Sequence, residues 1–317
     1  MSSIGNEFHL WRPIEAAARL RSWAPSRTPI GRLRSIGHEL AAWRGLPSSV
    51  PYPLRGVDDA ERTRLLADAP AKQTYAVIFT PRSGSSRLQE ILAAPRCLGN
   101  PGEMFNPGFM PRIAQGFHAR DIEDYVAVLR RVRGRRGVMG FEATWRHVQS
   151  AFGTAERFGR IVAPDAWVWL IREDIVAQAV SISRMAQTQV SHATPSLAEE
   201  AREAAERRFR YSAVDIAARL ASLRRLEIGS EGMFAALGVR PLRLSHERIL
   251  AIPPREAAAR VAALVGVEIP PKARFALTHE RLGTAKNDDF ARRFRAEHAG
   301  LVARVERARA PLIEALE

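Results

Sequence analysis

The sequence predicts an α/β fold in which helices flank both faces of a central parallel sheet. Short apolar runs alternate with longer helical segments from residue 75 onward, and this alternation is typical of strand–helix–strand units. The chain has 317 residues, of which 46% are hydrophobic and 26% charged, so it can bury a sizeable core. A loop of glycine and serine follows the first apolar run and indicates a ligand site at the edge of the sheet.

Four apolar runs are the predicted strands, at residues 75–79, 138–141, 167–171 and 241–244. The longest predicted helix runs from residue 196 to about residue 228. Ser196 is its expected N-cap, with acidic residues in the first turn and arginines later, in agreement with the helix dipole. These elements place the main domain at residues 71–317.

Residues 1–70 are predicted to form a basic, mostly helical extension that ends in a proline-rich linker. The extension is amphipathic, rich in arginine and poor in acids, and "LPSSVPYPLRGV" at residues 46–57 is typical of an extended linker. We expect the extension to pack on the main domain or to touch a membrane or a partner. An organelle transit peptide is the alternative interpretation of the same composition.

The formal net charge of the chain is +14. Nearly all of the positive charge is arginine spread through alanine-rich helical stretches, and lysine occurs only at positions 72, 272 and 286. This spread disfavours nucleic acid as the partner and favours a surface that attracts small anionic substrates.

Cys97 is the single cysteine, which excludes an internal disulfide and a cysteine-based metal cluster. No stretch approaches the roughly 18 apolar residues of a membrane span, and the N-terminus lacks a secretory apolar core. We therefore expect a cytoplasmic protein, with the basic extension as a hypothetical contact to the inner face of the membrane.

The loop "TPRSGSS" at residues 80–86 joins the first predicted strand to a helix. In such a unit the N–H groups at the helix start point into the crevice beyond the strand and attract anions. A glycine lets an anion approach the backbone, serine hydroxyls donate hydrogen bonds and an arginine offers a bidentate fork. The predicted anion-binding residues are Arg82, Ser83, Gly84, Ser85 and Ser86.

This loop differs from the phosphate loop of nucleoside triphosphatases, in which a lysine follows the last glycine and a Ser or Thr binds magnesium. Here Ser85 follows the glycine and the cation, Arg82, precedes it. We therefore expect a P-loop-like fold without an ATP–magnesium site and without a metal. A strand-to-helix turn that binds nothing is the alternative for the loop taken alone.

A second stretch, "AWVWLIREDIVAQAVSISRMAQT" at residues 166–188, has the same strand-to-helix form. Arg172 stands where the strand should end, Asp174 is the expected helix cap, and Gln178 and Ser181 lie on a polar flank of the helix. Because parallel strands end at one edge of a sheet, we expect Arg172 and Ser181 to bind a second anion beside the first.

These stretches resemble the bacterial PAPS-dependent carbohydrate sulfotransferases typified by mycobacterial trehalose 2-sulfotransferase. The resemblance covers about residues 75–295 and rests on "TPRSGSS", "GNPGEMF" and, most specifically, "REDIVAQAVSISRMAQT". These enzymes take a sulfuryl group from 3′-phosphoadenylyl sulfate (PAPS). The resemblance implies that residues 82–86 hold the 5′-phosphosulfate and that Arg172 and Ser181 hold the 3′-phosphate.

The segment "ERLGTAKNDDFARRFR" at residues 280–295 resembles the family's closing segment, a polar loop before a terminal helix that completes the nucleotide site. Gly283 would let this loop pass close to the donor. Lys286 stands where the family often has an arginine, so it supplies the charge without the bidentate geometry. The alternative role for Lys286 is the cap of a solvated turn.

Sulfuryl transfer to an alcohol needs a group that takes the acceptor's proton and donors that stabilise the leaving oxygen. Arg82 is the expected stabiliser. The resemblance implies that Glu103, in the loop "GNPGEMFNP", is the general base. Glu142, at the end of an apolar run, and His147 are the competing candidates for the base, and His147 is expected to be structural.

The acceptor site is expected to include Asn100, Glu103 and Trp145, with Phe105 and Phe109 as further surfaces for sugar stacking unless they belong to the core. Asn100 replaces the family's acidic residue and Glu142 replaces a frequent lysine. We therefore expect a sugar, glycolipid or lipopolysaccharide acceptor rather than trehalose in particular.

Taken together, the sequence predicts a carbohydrate O-sulfotransferase with PAPS as its co-substrate and a sugar or glycolipid as its acceptor. The family resemblance also implies a homodimer. The alternatives are a P-loop-like nucleotide kinase and a non-catalytic basic protein that binds nucleotides or nucleic acid.

Overall fold

A computed structural model of the chain describes residues 57–134, 136–188, 199–277 and 284–317. Most of the predicted extension, its linker, Ser196 and Gly283 therefore lie outside the described residues. The described helices are α1 (Asp59–Ala67), α2 (Ser85–Ala93), α3 (Met110–Gly116), α4 (Ile122–Val132), α5 (Trp145–Phe152), α6 (Ala155–Val162), α7 (Ile175–Thr188), α8 (Glu199–Arg208), α9 (Ala213–Leu237), α10 (His246–Ala251), α11 (Pro254–Val265), α12 (Ala285–Glu297) and α13 (Ala299–Glu314).

The four described strands form one parallel sheet, as the sequence predicts. They are β1 (Gln73–Phe79), β2 (Val138–Ala143), β3 (Ala166–Ile171) and β4 (Leu242–Ser245), in the order β2-β1-β3-β4. Each neighbouring pair is parallel. Because the chain leaves β1 toward β2 on one side and reaches β3 on the other, the carboxyl end of β1 lies at a topological switch point, where open α/β sheets bind ligands.

Hydrophobic side chains cover both faces of the sheet, because alternate residues of a strand point to opposite faces. On one face Ile78, Phe141 and Trp169 pack with residues of α4, α5, α6 and α9. On the other face Val77 and Leu170 pack with residues of α2 and α11. The predicted helix–sheet–helix layering is thus confirmed, and it brings the strand ends into one crevice.

The single long helix predicted at residues 196–228 is wrong. The described residues there form two helices, α8 and α9, and the second begins where the Ser212 hydroxyl accepts a hydrogen bond from the Asp215 N–H. Helix α9 then continues to Leu237 and ends at Gly238, which has φ +64°. In the sequence, Ser212 marks this break as a second serine in an N-cap position.

Helix α1 precedes the predicted domain boundary at residue 70 and packs on α4. Arg62 pairs with Asp124 at 3.2 Å, and the Arg131 guanidinium donates to the Leu66 carbonyl oxygen at 3.0 Å. Among the described helices, none has the length and apolar character needed to cross a membrane.

Candidate active site

The loop between β1 and α2 adopts a conformation suited to binding an anion. Gly84 is the N-cap of α2 with φ +83°, and no side chain caps the described N-terminus of this helix. Arg82 also has a left-handed backbone, with φ +65°, a conformation that costs a non-glycine residue about 1 to 2 kcal/mol. The loop therefore leaves the first N–H groups of α2 available for an anion.

The serines of the loop differ in their surroundings. Ser83 is fully buried and its hydroxyl has no hydrogen-bond partner among the described residues. Ser85 is buried and Ser86 is half-buried. A buried hydroxyl without a partner is costly, and an anion held in the loop would offer it an acceptor, so the residues fit a phosphate or sulfate group.

Gln178 fixes this loop from the neighbouring helix. The prediction that it lies on a polar flank is wrong, because its side chain is fully buried. Its amide nitrogen donates to the Thr80 hydroxyl at 2.9 Å and to the Pro81 carbonyl oxygen at 2.7 Å. Helix α7 therefore holds the loop through a buried side-chain amide.

The two predicted anion-binding motifs meet at the Arg82 side chain. Its Nε donates to the Ser181 hydroxyl at 3.1 Å, across 99 positions of sequence. Burial lowers the pKa of Arg82, and the positive charges of Arg172 and Arg184 lower it further. We call Arg82, Arg172 and Arg184 the arginine cluster.

Acidic side chains partly balance the arginine cluster. Arg172 lies 3.6 Å from the Glu247 carboxylate, and Arg184 lies 3.4 Å from that of Glu206. Arg184 is not among the residues predicted from the sequence, although it follows Ser181 by three positions on α7 and helical spacing places the two on one face.

Lys286 is connected to the arginine cluster through Glu206. Its ammonium group donates to the backbone oxygen of Glu206 at 2.7 Å, while the Thr284 hydroxyl donates to the Glu206 carboxylate at 2.9 Å. Glu206 therefore links the start of α12 to Arg184, and a role of Lys286 in donor binding stays a prediction.

A buried ion network supports the end of β3, where Arg172 stands as predicted. Arg309 donates to the backbone oxygens of Arg172 at 2.6 Å and Glu173 at 2.7 Å. Its guanidinium also pairs with Glu227 at 2.9 Å, and both side chains are almost fully buried. Asp174 accepts from the Ala177 N–H at 2.8 Å, which confirms the predicted cap.

His246, at the end of β4, lies directly against the loop. A Cβ atom added to Gly84 would stand 2.3 Å from His246 Nδ1. Position 84 therefore requires glycine both for its left-handed backbone and for this close contact. His246 is not among the residues predicted from the sequence, because nothing in its local pattern relates it to residue 84.

Glu103, Glu142 and His147 form a second group, which we call the carboxylate cluster. The backbone N–H of Glu142 donates to the Gly102 carbonyl oxygen at 2.9 Å, which brings the loop onto strand β2. His147 Nε2 lies 3.9 Å from the Glu103 carboxylate. The ring of His147 also contacts Phe79, the last residue of β1, with ring centroids 6.3 Å apart, so this cluster and the loop lie at the same edge of the sheet.

His147 is structural, as predicted, and its environment fixes its proton. The backbone N–H of Thr144 donates to His147 Nδ1 at 3.3 Å, and the backbone N–H of His147 donates to the Thr144 hydroxyl at 3.2 Å. These two hydrogen bonds form the capping box of α5. Burial lowers the pKa of His147 to about 4. The ring is therefore neutral at pH 7, and its proton is on Nε2, which faces Glu103.

The two carboxyls of the cluster have raised pKa values. Burial raises the pKa of Glu103, while a 2.6 Å hydrogen bond from the Asn106 amide opposes the shift. Burial, with a contribution from the charge of Glu103, raises the pKa of Glu142 to about 8. A half-buried carboxylate oriented by an amide is suited to accept a proton from an alcohol.

The candidate acceptor residues have different exposures. The prediction of Phe105 as a stacking surface is wrong, because its side chain is fully buried among Tyr125, Phe141, Phe152 and Phe158. Phe109 is 55% exposed and Asn100 is exposed.

Trp145 is half-buried, and the edge of its indole ring packs against Gly229 of α9. Contact of Asn100, Phe109 and Trp145 with an acceptor stays a prediction. No group of three or more His, Cys, Asp or Glu side chains in the described part of the chain is arranged to hold a metal ion.

The sequence is similar to a known protein family and to a known enzyme. The family model described as Stf0 sulphotransferase matches residues 74–297, well over half of the chain. Trehalose 2-sulfotransferase of Mycobacterium tuberculosis strain Erdman is 28% identical over 266 residues, which cover 72% of this chain and 96% of that protein.

Proposed function

The chain belongs to the Stf0 sulphotransferase family, and on this premise we propose that it transfers a sulfuryl group from PAPS to a hydroxyl of a sugar or glycolipid. Arg82 to Ser86 would hold the 5′-phosphosulfate of the donor. Arg172 and Ser181 would hold its 3′-phosphate, with Arg184 beside them.

The observation that carries this proposal is the convergence of both motifs on Arg82. Three arginine side chains stand close enough for their charges to act on one another, and like charges are brought together at a cost. A ligand with two separate anionic groups offsets that cost better than a ligand with one. The hydrogen bond from Arg82 to Ser181 supports one ligand that spans both motifs.

The proposed reaction is an in-line transfer to an acceptor alcohol. The acceptor oxygen forms a bond to sulfur as the bond from sulfur to the bridging phosphate oxygen breaks. Glu103 takes the alcohol proton, and Arg82 with the N–H groups of α2 stabilises the charge that builds on the leaving phosphate. The leaving product is adenosine 3′,5′-bisphosphate.

The acceptor class is proposed from the name of the relative, trehalose 2-sulfotransferase. This chain has Asn100 and Glu142 at two positions where the family pattern differs, so we propose a sugar-containing acceptor without limiting it to trehalose. The exposed ring of Phe109 supports contact with a sugar face or a lipid. Homodimer formation, a cytoplasmic location and membrane contact of the extension stay predictions.

Calorimetry without added metal tests the donor site. We expect adenosine 3′,5′-bisphosphate to bind at least 100-fold more tightly than ADP, because charge-assisted contacts to a phosphate contribute about 1.5 to 3 kcal/mol each. Arg172→Ala should abolish this preference. Arg292→Ala is the matched control, because Arg292 is exposed and pairs with Asp289, three positions before it on the same helix.

The other outcomes separate the alternatives. ADP binding that requires magnesium would favour a nucleotide kinase and contradict the proposal. Equal and strongly salt-dependent binding of both nucleotides and of nucleic acid would favour a non-catalytic basic protein.

A further inference from the structure

Glu142 is a buried carboxyl without a cationic partner in the part of the chain that the structure describes. It lies on β2 opposite Val77, and its side chain is 2% exposed. One of its carboxyl oxygens is buried without a hydrogen-bond partner. An ionised carboxylate in such a place is costly, and the usual response of a protein is to keep the group protonated.

Two titratable groups interact electrostatically with Glu142. One is Glu103, on the loop whose Gly102 carbonyl oxygen accepts from the Glu142 N–H, and the other is the Tyr75 phenol of β1. The neutral His147 of α5 lies against Glu103. Burial raises the pKa of Tyr75 well above its ordinary value, and the charge of Glu142 adds to that shift. None of these groups supplies a positive charge at neutral pH, so none of them stabilises an ionised Glu142.

Two carboxyls that share such a site do not both ionise readily. Glu103 is the more exposed of the two and accepts a hydrogen bond from Asn106, whereas Glu142 is the more buried. Glu103 is therefore the member that carries the charge. The pKa of Glu142, about 8, agrees with this division.

We propose that Glu142 is a positioning residue that keeps one proton beside Glu103, so that the pair holds a single negative charge and Glu103 receives the acceptor's proton. This inference rests on the proposed function. Glu142 keeps its proton during turnover, and Glu103 releases the proton it has received to solvent. If Glu142 ionises, a second negative charge repels the anionic sulfuryl group, and transfer slows.

The pH profile of sulfuryl transfer tests this role. For the wild type we expect kcat/KM to fall above a pH of about 8, approaching a tenfold loss per pH unit. In Glu142→Gln, which cannot ionise, this alkaline limb should disappear whatever the absolute rate. Glu123→Gln, at an exposed glutamate of α4, should keep the wild-type profile. An alkaline limb that persists unchanged in Glu142→Gln would overturn the proposal.

Infrared titration of the wild type tests the proton without any turnover. We expect the C=O band of a protonated carboxyl to be present at pH 7, to disappear with a midpoint of about 8, and to be missing in Glu142→Gln. A band that is lost near the ordinary glutamate pKa overturns the inference even if transfer is observed. Failure of the proposed function is distinguished by the calorimetry, since the bisphosphate would then have no preference over ADP.

Discussion

The arginine cluster and the carboxylate cluster lie at the same edge of the sheet. Each brings together side chains that repel one another when all are ionised, but the repulsion is reduced in different ways. Arginine stays protonated at any accessible pH, so the arginine cluster depends on Glu206 and Glu247 as counter-ions. A carboxyl can take up a proton, and Glu142 does so because of its burial. One cluster is balanced by partners, the other by protonation.

This difference matches what the two clusters would bind. A site for a polyanion must remain positive until the ligand binds. Because the carboxylates of Glu206 and Glu247 are partly exposed, a phosphate can replace them as the partner of the arginines. A site for a neutral alcohol needs a single base, and a second charge beside it would be unfavourable. Changes to the two clusters should therefore affect donor binding, turnover and stability differently.

The largest expected effect is on turnover in Glu103→Gln. Loss of the base should lower kcat by about 10²- to 10⁴-fold, because glutamine keeps the shape but accepts no proton. Binding of adenosine 3′,5′-bisphosphate should stay unchanged, because the arginine cluster is intact. Steady-state kinetics and calorimetry measure both, with Glu123→Gln as control; a kcat near that of the wild type would remove Glu103 from the role.

The next effect concerns the support of the arginine cluster. Arg309→Met leaves Glu227 with Arg224 as its remaining described partner and releases the backbone oxygens of Arg172 and Glu173. Removing one partner of a buried pair costs about 3 to 5 kcal/mol. Urea denaturation should detect this loss, whereas Arg307→Met, at an exposed position of the same helix, should have no effect. Equal stability of the two variants would show that the network adds nothing.

The pH dependence of stability should differ between the wild type and Glu142→Gln. Folding raises the pKa of Glu142 from 4.5 to about 8, so the folded state holds a proton that the unfolded state loses between these values. The stability from this proton is fully present below pH 4.5 and is lost as the pH rises toward 8.

Relative to Glu142→Gln, the wild type should therefore lose on the order of 3 kcal/mol of unfolding free energy between pH 5 and pH 8. Urea denaturation of both proteins at the two pH values measures the difference. A constant difference would mean that Glu142 titrates normally.

The smallest expected effect is on donor affinity in Ser181→Ala. Loss of one hydroxyl that accepts from Arg82 and would contact the 3′-phosphate should weaken bisphosphate binding by about fivefold to tenfold, since such a hydrogen bond contributes about 1 kcal/mol. Ser183→Ala is the matched control on the same helix, because the Ser183 hydroxyl accepts from Gln187 instead. A similar loss in both variants would point to helix stability rather than to a contact.

Several features could be predicted because they depend on local sequence. The apolar runs gave all four described strands, and the residue after β3 is Arg172 as expected. The family resemblance seen in the motifs is confirmed by the match over residues 74–297. Local patterns did not predict burial where a buried and an exposed residue look alike in sequence. Phe105 is part of the core, and Gln178 is buried and donates hydrogen bonds to the loop after β1.

By itself, the sequence determined the parallel sheet, the glycine–serine loop after β1 and the order of the motifs, because these depend on periodicity, glycine and capping residues within a few positions. Only the tertiary structure decided that Arg184 lies near Arg82 and that Glu206 and Glu247 are the counter-ions of the arginine cluster. It also decided that Glu142 is buried and so keeps a proton. These outcomes depend on distances between segments far apart in the chain and on the loss of water around a charge, and neither quantity is encoded in a local pattern.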